Sequence, residues 1–422
     1  MLVPLLFFLI LIVISLLISD FKLEPQYCLF LPYFQFILGF YKAFPTTLYW
    51  MYVASLFLIF IVSSHYFAKR KKNAIRLGLK NNKCLECSFS FNKNLFWIVT
   101  FFILYHYAVG GIPALSSNVI TDRFNMTSSG LLGIPGRMAS YGNNFILFYT
   151  AFFYFYDKNN RRTSKQYFLY AIFLNVIVAF FSGTKSALFS IIYTVIYILA
   201  FSPIEFSIRR FFKIKYLILI CGIIVGGFLY FKHYFYAYQN VYSSMDIFEY
   251  IMYRLINMSV ESGEYLVKYP PSERMYYITD FLYYFQKYFH INIIDGIYPL
   301  EIYTSLGINH VSFTGAYNIY TPVTMGICSE FIYHFGMLSV VAVFLIGIIY
   351  SRIDLKLHLV MNPTKYAAYG MAITFLNNFI SKGNLAYNLI NYVLVFLIIW
   401  FIDYTTKGFR ICLKRKRERT MA

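Results

Sequence analysis

Lys185 is the charged residue whose surroundings most suggest chemistry. It lies in the run Ser-Gly-Thr-Lys-Ser (182–186), which leaves almost no loop between two apolar segments. A charge at that depth in a membrane is costly and usually faces a cavity or a partner. The small neighbouring residues offer room and backbone donors for an anion such as a phosphate. The alternative is a lysine that only anchors the turn by extending its ammonium group to the membrane surface.

Two further residues have side chains suited to proton transfer. Glu330 lies inside an apolar segment, four positions before His334, so the two share one helix face. An intramembrane carboxylate is a functional residue by default, although a structural ion pair or a helix-packing hydrogen bond explains it equally well. His310, in the polar run 307–315, has a side chain that can act as a general base near neutral pH. The alternative for His310 is ordinary polar surface.

The elements that carry these residues are predicted to be membrane-spanning helices. Hydrophobic residues make up 59% of the 422 residues and charged residues only 13%, about half the charged share of a soluble domain. A span needs about 20 apolar residues, or somewhat fewer where flanking residues reach the interface. The sequence therefore predicts an all-α polytopic membrane protein with about 11 transmembrane helices. The candidates are 2–19, 27–41, 47–67, 95–109, 138–156, 167–181, 187–201, 214–231, 322–350, 366–380 and 386–402, with a break or tilt expected near Gly336.

The net charge of +19 sets the predicted orientation. Most basic residues fall in short clusters between apolar segments, and all of these clusters lie on one side if the spans alternate. That side is cytoplasmic by the positive-inside rule, so the C-terminus is predicted inside and the N-terminus outside, with the first helix retained. Charge clustered in this way predicts topology, and nucleic-acid binding is not expected.

One integral membrane domain, 1–422, is predicted, with a basic cytoplasmic tail at 407–422. The opposite face receives an outer loop at 110–137 and a large extracytoplasmic loop at 232–321. The large loop reverses the basic trend, because its acids outnumber its lysines and arginines, and it is rich in tyrosine. A loop of this length is usually functional or disordered, and its aromatic content argues against disorder. Apolar residues at helical spacing in 246–268 predict interfacial helices on the membrane surface.

Three stretches together resemble a known family. They are Gly110-Gly-Ile-Pro-Ala-Leu-Ser116 with Arg123 and Gly133-Ile-Pro-Gly-Arg137, the Ser-Gly-Thr-Lys-Ser-Ala-Leu turn, and Tyr320-Thr-Pro-Val-Thr-Met-Gly326 running into Glu330 and Tyr333-His-Phe-Gly-Met337. In order, spacing and sidedness the chain resembles the bacterial oligosaccharide repeat-unit polymerases, the Wzy-type O-antigen and capsular polysaccharide polymerases. Lys185 stands where that family usually has arginine, and Arg123 is followed by Gly133 at one residue too few for the R-x10-G pattern of some members.

The resemblance implies a reaction and a location. A growing glycan on undecaprenyl diphosphate is transferred to a new lipid-linked repeat unit at the outer face of the bacterial cytoplasmic membrane. The leaving diphosphate needs cations near the membrane surface, and the acceptor hydroxyl needs a base. The expected diphosphate-binding residues are Arg123, Arg137, Lys185 and Arg254. The expected base is His310, with Glu330 as the second choice.

No cofactor is expected, and the glycosyltransferase is predicted to be metal-independent. The outer loops contain no Asp-x-Asp motif, and Cys84-x-x-Cys87 lacks the second pair or nearby histidines that a zinc site needs. The expected partners are undecaprenyl-diphosphate-linked oligosaccharides, membrane lipid and a chain-length regulator. Two alternatives stay open: an O-antigen ligase, which uses the same donor with a lipid A-core acceptor, and a lipid-linked oligosaccharide flippase.

Overall fold

The computed structural model describes most of the chain, and the helices account for nearly all of that part. The described residues are 2–46, 48–81, 91–116, 133–157, 160–182, 187–203, 207–208, 246–252, 261–270, 277–289, 303–304, 326–360 and 362–421, with single positions between 218 and 232 and at 291, 293 and 300. Among them there is no β-strand, and one isolated bridge joins Lys22 to Ser207.

The helices follow the apolar segments closely. Their bounds are α1 Leu2–Ile18, α2 Phe30–Ala43, α3 Tyr49–Ser64, α4 Ala68–Asn81, α5 Lys93–Gly110, α6 Ile134–Arg137, α7 Asn143–Tyr156, α8 Arg161–Phe181, α9 Ala187–Phe201, α10 Ile247–Met252, α11 Glu261–Lys268, α12 Tyr277–Phe289, α13 Gly326–Phe335, α14 Ser339–Leu359, α15 Pro363–Lys382 and α16 Leu385–Met421. Short 3-10 turns cover Pro25–Leu29, Pro113–Leu115 and Gly336–Leu338, and a π-helical turn covers Met138–Gly142.

Within the described residues, five helical segments are long and apolar enough to cross a membrane: Tyr49–Ile75, Lys93–Leu115, Arg161–Phe181, Cys328–Leu359 and Leu385–Thr406. Two shorter apolar helices cover Val3–Ile18 and Ile192–Phe201. The multi-pass helical class follows from these segments, and the number eleven stays a prediction. The candidate span 214–231 lies almost wholly outside the described residues.

The predicted break near Gly336 is confirmed. The helix α13 ends at Phe335, a 3-10 turn follows, and α14 begins at Ser339. Gly336 adopts φ = 55°, a left-handed conformation that favours glycine. The carbonyl oxygen of Gly336 accepts from the backbone N–H of Ser339 in this turn and from the hydroxyl of Tyr52 on α3.

The chain divides into two compact units, and the single integral membrane domain, 1–422, stays a prediction. The first unit contains Met1–Lys72, Val195–Leu355 and Phe375–Asn388. Its core is aromatic: Tyr33 of α2 stacks on Phe57 of α3 with ring centroids 4.0 Å apart. Glycine allows α14 to approach α3 closely, because a Cβ on Gly347 would lie 1.8 Å from Ser63 Oγ.

The second unit contains Asn73–Thr194, Lys356–Thr374 and Leu389–Ala422. Here α5, the π-helical turn, α7 and α8 pack around buried rings such as Phe145 and Tyr149. The basic tail predicted at 407–422 continues α16 as helix as far as Met421.

Within each unit, the contacts bring together helix ends that lie on the same side of the membrane if the spans alternate strictly. In the first unit, Lys71 on α4 contacts Glu24, in the connection between α1 and α2, and Asp354, near the end of α14. In the second, Asn92 before α5 donates to Asp403 of α16 at 3.0 Å, and Thr364 of α15 donates to the same carboxylate. These are the ends that the basic clusters assign to the cytoplasm.

Candidate functional site

Two of the six predicted site residues lie in the described part of the chain. They are Glu330, in the first unit, and Arg137, in the second. The other four fall outside the described residues: Arg123, Lys185, Arg254 and His310.

The carboxylate of Glu330 binds backbone N–H groups at the beginning of α16. It lies on the second turn of α13, and only 2% of its surface is exposed. Its Oε2 accepts a hydrogen bond from the backbone N–H of Asn384 at 2.5 Å, and its Oε1 accepts one from the N–H of Leu385 at 3.2 Å. The first N–H groups of a helix lack partners within the helix and carry partial positive charge, so a carboxylate stabilises them.

The turn that Glu330 holds has an unusual backbone. Gly383 and Asn384 both have positive φ, 75° and 58°, and asparagine is one of the few residues other than glycine that tolerates this region. The side chain of Asn384 caps the helix, because its Oδ1 accepts from the N–H of Tyr387 at 3.1 Å. The amide of Asn388 donates to the carbonyl oxygen of Gly383 at 2.9 Å. The side chains of Glu330, Asn384 and Asn388 therefore all stabilise the turn between α15 and α16 by hydrogen bonds to its backbone.

The same turn anchors part of the large loop. Asn384 Nδ2 donates to the hydroxyl of Tyr284 on α12 at 2.9 Å, and the ring of Tyr284 packs on Tyr387 with centroids 5.4 Å apart. One turn earlier on α12, Asp280 Oδ1 accepts from the backbone N–H of Leu300 at 3.2 Å. Burial raises the pKa of Asp280 to about 7. We refer to Glu330, Asn384, Tyr284 and Tyr387 as the Glu330 cluster.

A second contact attaches α11 to α13. A Cβ on Gly263 would lie 2.5 Å from Ser329 Oγ and 2.7 Å from Phe40 Cζ, so only glycine fits between these side chains. On the next turn Leu266 packs with Leu300. Of the segment 246–268, the described residues are helical over Ile247–Met252 and Glu261–Lys268, and the position of these helices on the membrane surface stays a prediction. The face of α11 that carries Gly263 contacts protein.

The geometry bears on the two interpretations of Glu330. A general base needs an oxygen within reach of the acceptor hydroxyl, whereas both oxygens of Glu330 accept backbone N–H groups. The arrangement favours the helix-packing interpretation, in which Glu330 positions the turn. Its role as the base stays a prediction.

Arg137 is positioned by close packing and by a hydrogen bond to a buried side chain of α16. The backbone before it packs against His106 of α5, because a Cβ on Gly136 would lie 3.1 Å from His106 Cε1. The Nε of Arg137 donates to Asn391 Oδ1 on α16 at 2.7 Å, and Asn391 is almost fully buried. This bond fixes the plane of a guanidinium group, which carries five N–H donors. The π-helical turn after Arg137 is a feature common at functional sites.

A buried charge group that the sequence did not predict lies at the other end of the first unit. Lys71 Nζ lies 2.6 Å from Glu24 and 3.0 Å from Asp354, and all three side chains are about nine-tenths buried. Burial and the neighbouring Asp354 raise the pKa of Glu24 to about 7, although Lys71 opposes them. Lys71 belongs to a basic stretch between two predicted spans, and this stretch is helical over Ala68–Asn81.

The partners of Glu330 in the first unit and of Arg137 in the second were not predicted either. Asn384, Tyr284 and Asn391 carried no signal in the apolar periodicity. The only hint was the polar run Ser381-Lys-Gly-Asn384 between two apolar segments. Among the residues that the structure describes, no group of three or more His, Cys, Asp or Glu side chains could hold a metal ion.

Comparison of the chain with protein-family models, with curated proteins and with solved structures finds no match.

Proposed function

We propose that this protein polymerises undecaprenyl-diphosphate-linked oligosaccharide repeat units into a surface polysaccharide, an O-antigen or a capsule, at the outer face of the bacterial cytoplasmic membrane. The observation that carries the proposal is the attachment of the acidic, tyrosine-rich loop to the Glu330 cluster. This attachment gives the loop a fixed position on the helices, and loops positioned by a rigid scaffold disproportionately carry binding and catalytic residues.

The position of this attachment supports an outer-face reaction. Glu330 and Lys71 lie near opposite ends of the first unit's helices: Glu330 at the start of Cys328–Leu359, and the Lys71 partner Asp354 near its end. The basic clusters assign the Lys71 end to the cytoplasm. A sugar that is activated by a lipid diphosphate needs no nucleotide. A transferase on the outer face therefore has a usable donor in the lipid-linked sugar.

The reaction forms one bond and breaks one. A hydroxyl of the incoming repeat unit attacks the anomeric carbon of the growing glycan, and the bond from that carbon to the diphosphate oxygen breaks. The proton of the hydroxyl passes to a base, for which His310 is the first choice and Glu330 the second. The negative charge that develops on the leaving diphosphate is stabilised by nearby cations.

Arg137 is the diphosphate-binding residue whose geometry is described. Asn391 orients its guanidinium, and an oriented fork can donate two parallel hydrogen bonds to phosphate oxygens. Lysine at this position would keep the charge and lose the paired donors. Arg123, Lys185 and Arg254 are assigned to the same task by the sequence alone.

The test uses purified protein, lipid-linked repeat units and detection of polymer ladders. Arg137→Ala is expected to abolish ladders, and Arg137→Lys to weaken them. Arg161→Ala, an exposed arginine at the start of α8 among the basic clusters, is the matched control and should leave ladder length unchanged. Wild-type ladders from Arg137→Ala at normal expression would remove Arg137 from the site.

Two further outcomes separate the alternatives. Transfer of a finished glycan to a lipid A-core acceptor, without polymerisation, would indicate the ligase. Movement of the intact lipid-linked unit across proteoliposomes, without transfer, would indicate the flippase. Excess chelator should leave the ladders intact, and a loss that added metal restores would contradict the metal-independent mechanism.

A further inference from the structure

The helix α12 presents an apolar face to its surroundings. Ile278, Phe285 and Phe289 stand at positions i, i+7 and i+11, which places them on one side of a helix, and they are 64%, 43% and 51% exposed. Phe281 and Leu282 fall on the same side and are partly exposed. A large exposed apolar surface of this kind indicates an interaction site.

The other two faces of α12 have different partners. One face carries Asp280 and Tyr284, which are buried in contacts with Leu300 and Asn384. Lys287 stands opposite the apolar face, at the border between the buried face and a polar face with Thr279 and Gln286. Its side chain is exposed, and its ammonium group lies 5.9 Å from the centroid of the Tyr283 ring. A large apolar face, a buried anchor and a basic polar face together are typical of helices that lie in a membrane interface.

The depth of α12 follows from the residues that anchor it. Tyr284 bonds Asn384, the residue immediately before the membrane-crossing segment Leu385–Thr406. Glu330, which binds the same turn, lies two residues inside the segment Cys328–Leu359. The first residues of a spanning helix lie at the level of the lipid headgroups, so α12 lies at that level too.

We propose that α12 is an interfacial helix whose Ile278, Phe285 and Phe289 insert into the lipid leaflet beside the Glu330 cluster. Helices of this class bury their apolar face about 5–10 Å into the boundary between headgroups and acyl chains. Lys287 then faces the aqueous side, near the lipid phosphates. The partner of this face is bilayer lipid, and the inference holds whether or not the protein polymerises glycans.

The experiment measures whether each face of α12 is exposed to lipid or to water. The six cysteines of the full-length protein are replaced by serine or alanine, single cysteines are introduced, and an environment-sensitive fluorophore is attached in phosphatidylcholine nanodiscs. Phe285→Cys reports on the apolar face, Ile278→Cys repeats the measurement, and Lys287→Cys is the control on the polar face of the same helix. Leu397→Cys, exposed on α16 inside a membrane-crossing segment, calibrates lipid contact.

Quenching by spin-labelled lipid is expected to be severalfold stronger at positions 278 and 285 than at 287, and quenching by aqueous iodide to be severalfold weaker. Equal iodide quenching at 285 and 287 would overturn the proposal, because the face would then meet water. Shielding of 285 from both quenchers would also overturn it, in favour of a protein partner or a second copy of this chain. Shielding that arises only after polyprenyl phosphate is added would overturn it in favour of an isoprenoid-binding face.

Discussion

Removing the carboxylate of Glu330 should destabilise the first unit before it affects any chemical step. Glu330→Ala deletes both acceptors of the Asn384 and Leu385 N–H groups. Glu330→Gln keeps one acceptor oxygen, and its NH2 group faces the other N–H. The alanine variant therefore loses both hydrogen bonds, and the glutamine variant loses at least one of them.

The expected size follows from the two contacts. A hydrogen bond to a charged group contributes about 1.5–3 kcal/mol, so the alanine variant should lose roughly 3–6 kcal/mol. Total stabilities of proteins are about 5–15 kcal/mol, so this is a large share. At about 2–4 °C per kcal/mol, the Tm should fall by roughly 6–24 °C for the alanine variant and by about half as much for the glutamine variant.

The protein contains its own reporters for this measurement. Cys28 and Cys328 are buried free thiols of the first unit, and they react with a thiol-specific fluorophore when the protein opens on heating. The other four cysteines are replaced by serine. Cys328 lies two positions from Glu330, so its labelling should begin at a lower temperature than that of Cys28 in both variants.

Ser329→Ala is the matched control. Its Oγ is buried and has no hydrogen-bond partner in the described part of the chain, so its loss should be nearly neutral or slightly stabilising. A Tm for Glu330→Ala within error of that for Ser329→Ala would refute the positioning role. A Glu330→Gln variant with a wild-type Tm and no polymer would also refute the positioning role, because the carboxylate would then act as the base.

Three further perturbations test other parts of the structure. Lys71→Met leaves two buried carboxylates without their cation and should cost about 3–5 kcal/mol, and converting both carboxylates to amides should restore thermal stability. Gly326 has φ = 64°, and the Cβ of Gly326→Ala would lie 2.1 Å from the Phe36 ring. Gly336 has φ = 55°, and the Cβ of Gly336→Ala would have no atom within 4 Å. Both variants incur about 1–2 kcal/mol of left-handed strain, and Gly326→Ala should lose about 1–3 kcal/mol more in thermal melts. Asp280 has its pKa raised from 3.8 to about 7, so the folded state retains a proton that the unfolded state releases. Stability should therefore fall between about pH 4 and 7, by about 4 kcal/mol at most, and Asp280→Asn should flatten this slope in melts recorded from pH 4.5 to 8.5.

Apolar patterning located the helices well because a membrane leaves few other options. Backbone polar groups in lipid must be paired within the segment, so an apolar run becomes a helix. The segments 47–67, 95–109 and 167–181 correspond to α3, α5 and α8 within a few residues. Gly336 was correctly identified as a break, since glycine in a long apolar run marks a weak point of the helix.

Patterning could not reveal the partners of the charged residues. Glu330 binds a turn 54 positions away, and nothing in the local sequence distinguishes that contact from a base awaiting a substrate. Lys71 lies in a strongly basic run between two predicted spans, where nothing distinguishes it from its basic neighbours, although its ammonium group binds two carboxylates. Such contacts depend on packing between segments distant in the chain, which one sequence does not encode as a local signal.

The interleaving of the two units has a consequence for biogenesis. The first unit combines Met1–Lys72 with segments from much later in the chain. The backbone N–H of Phe67, for example, donates to Ser351, which is 284 positions further on. At roughly 5–20 residues per second of synthesis, the early helices wait about 15–60 s for these partners. During that interval the Glu24–Lys71 pair lacks its third member, Asp354, so we expect the nascent chain to need protection by membrane insertion factors.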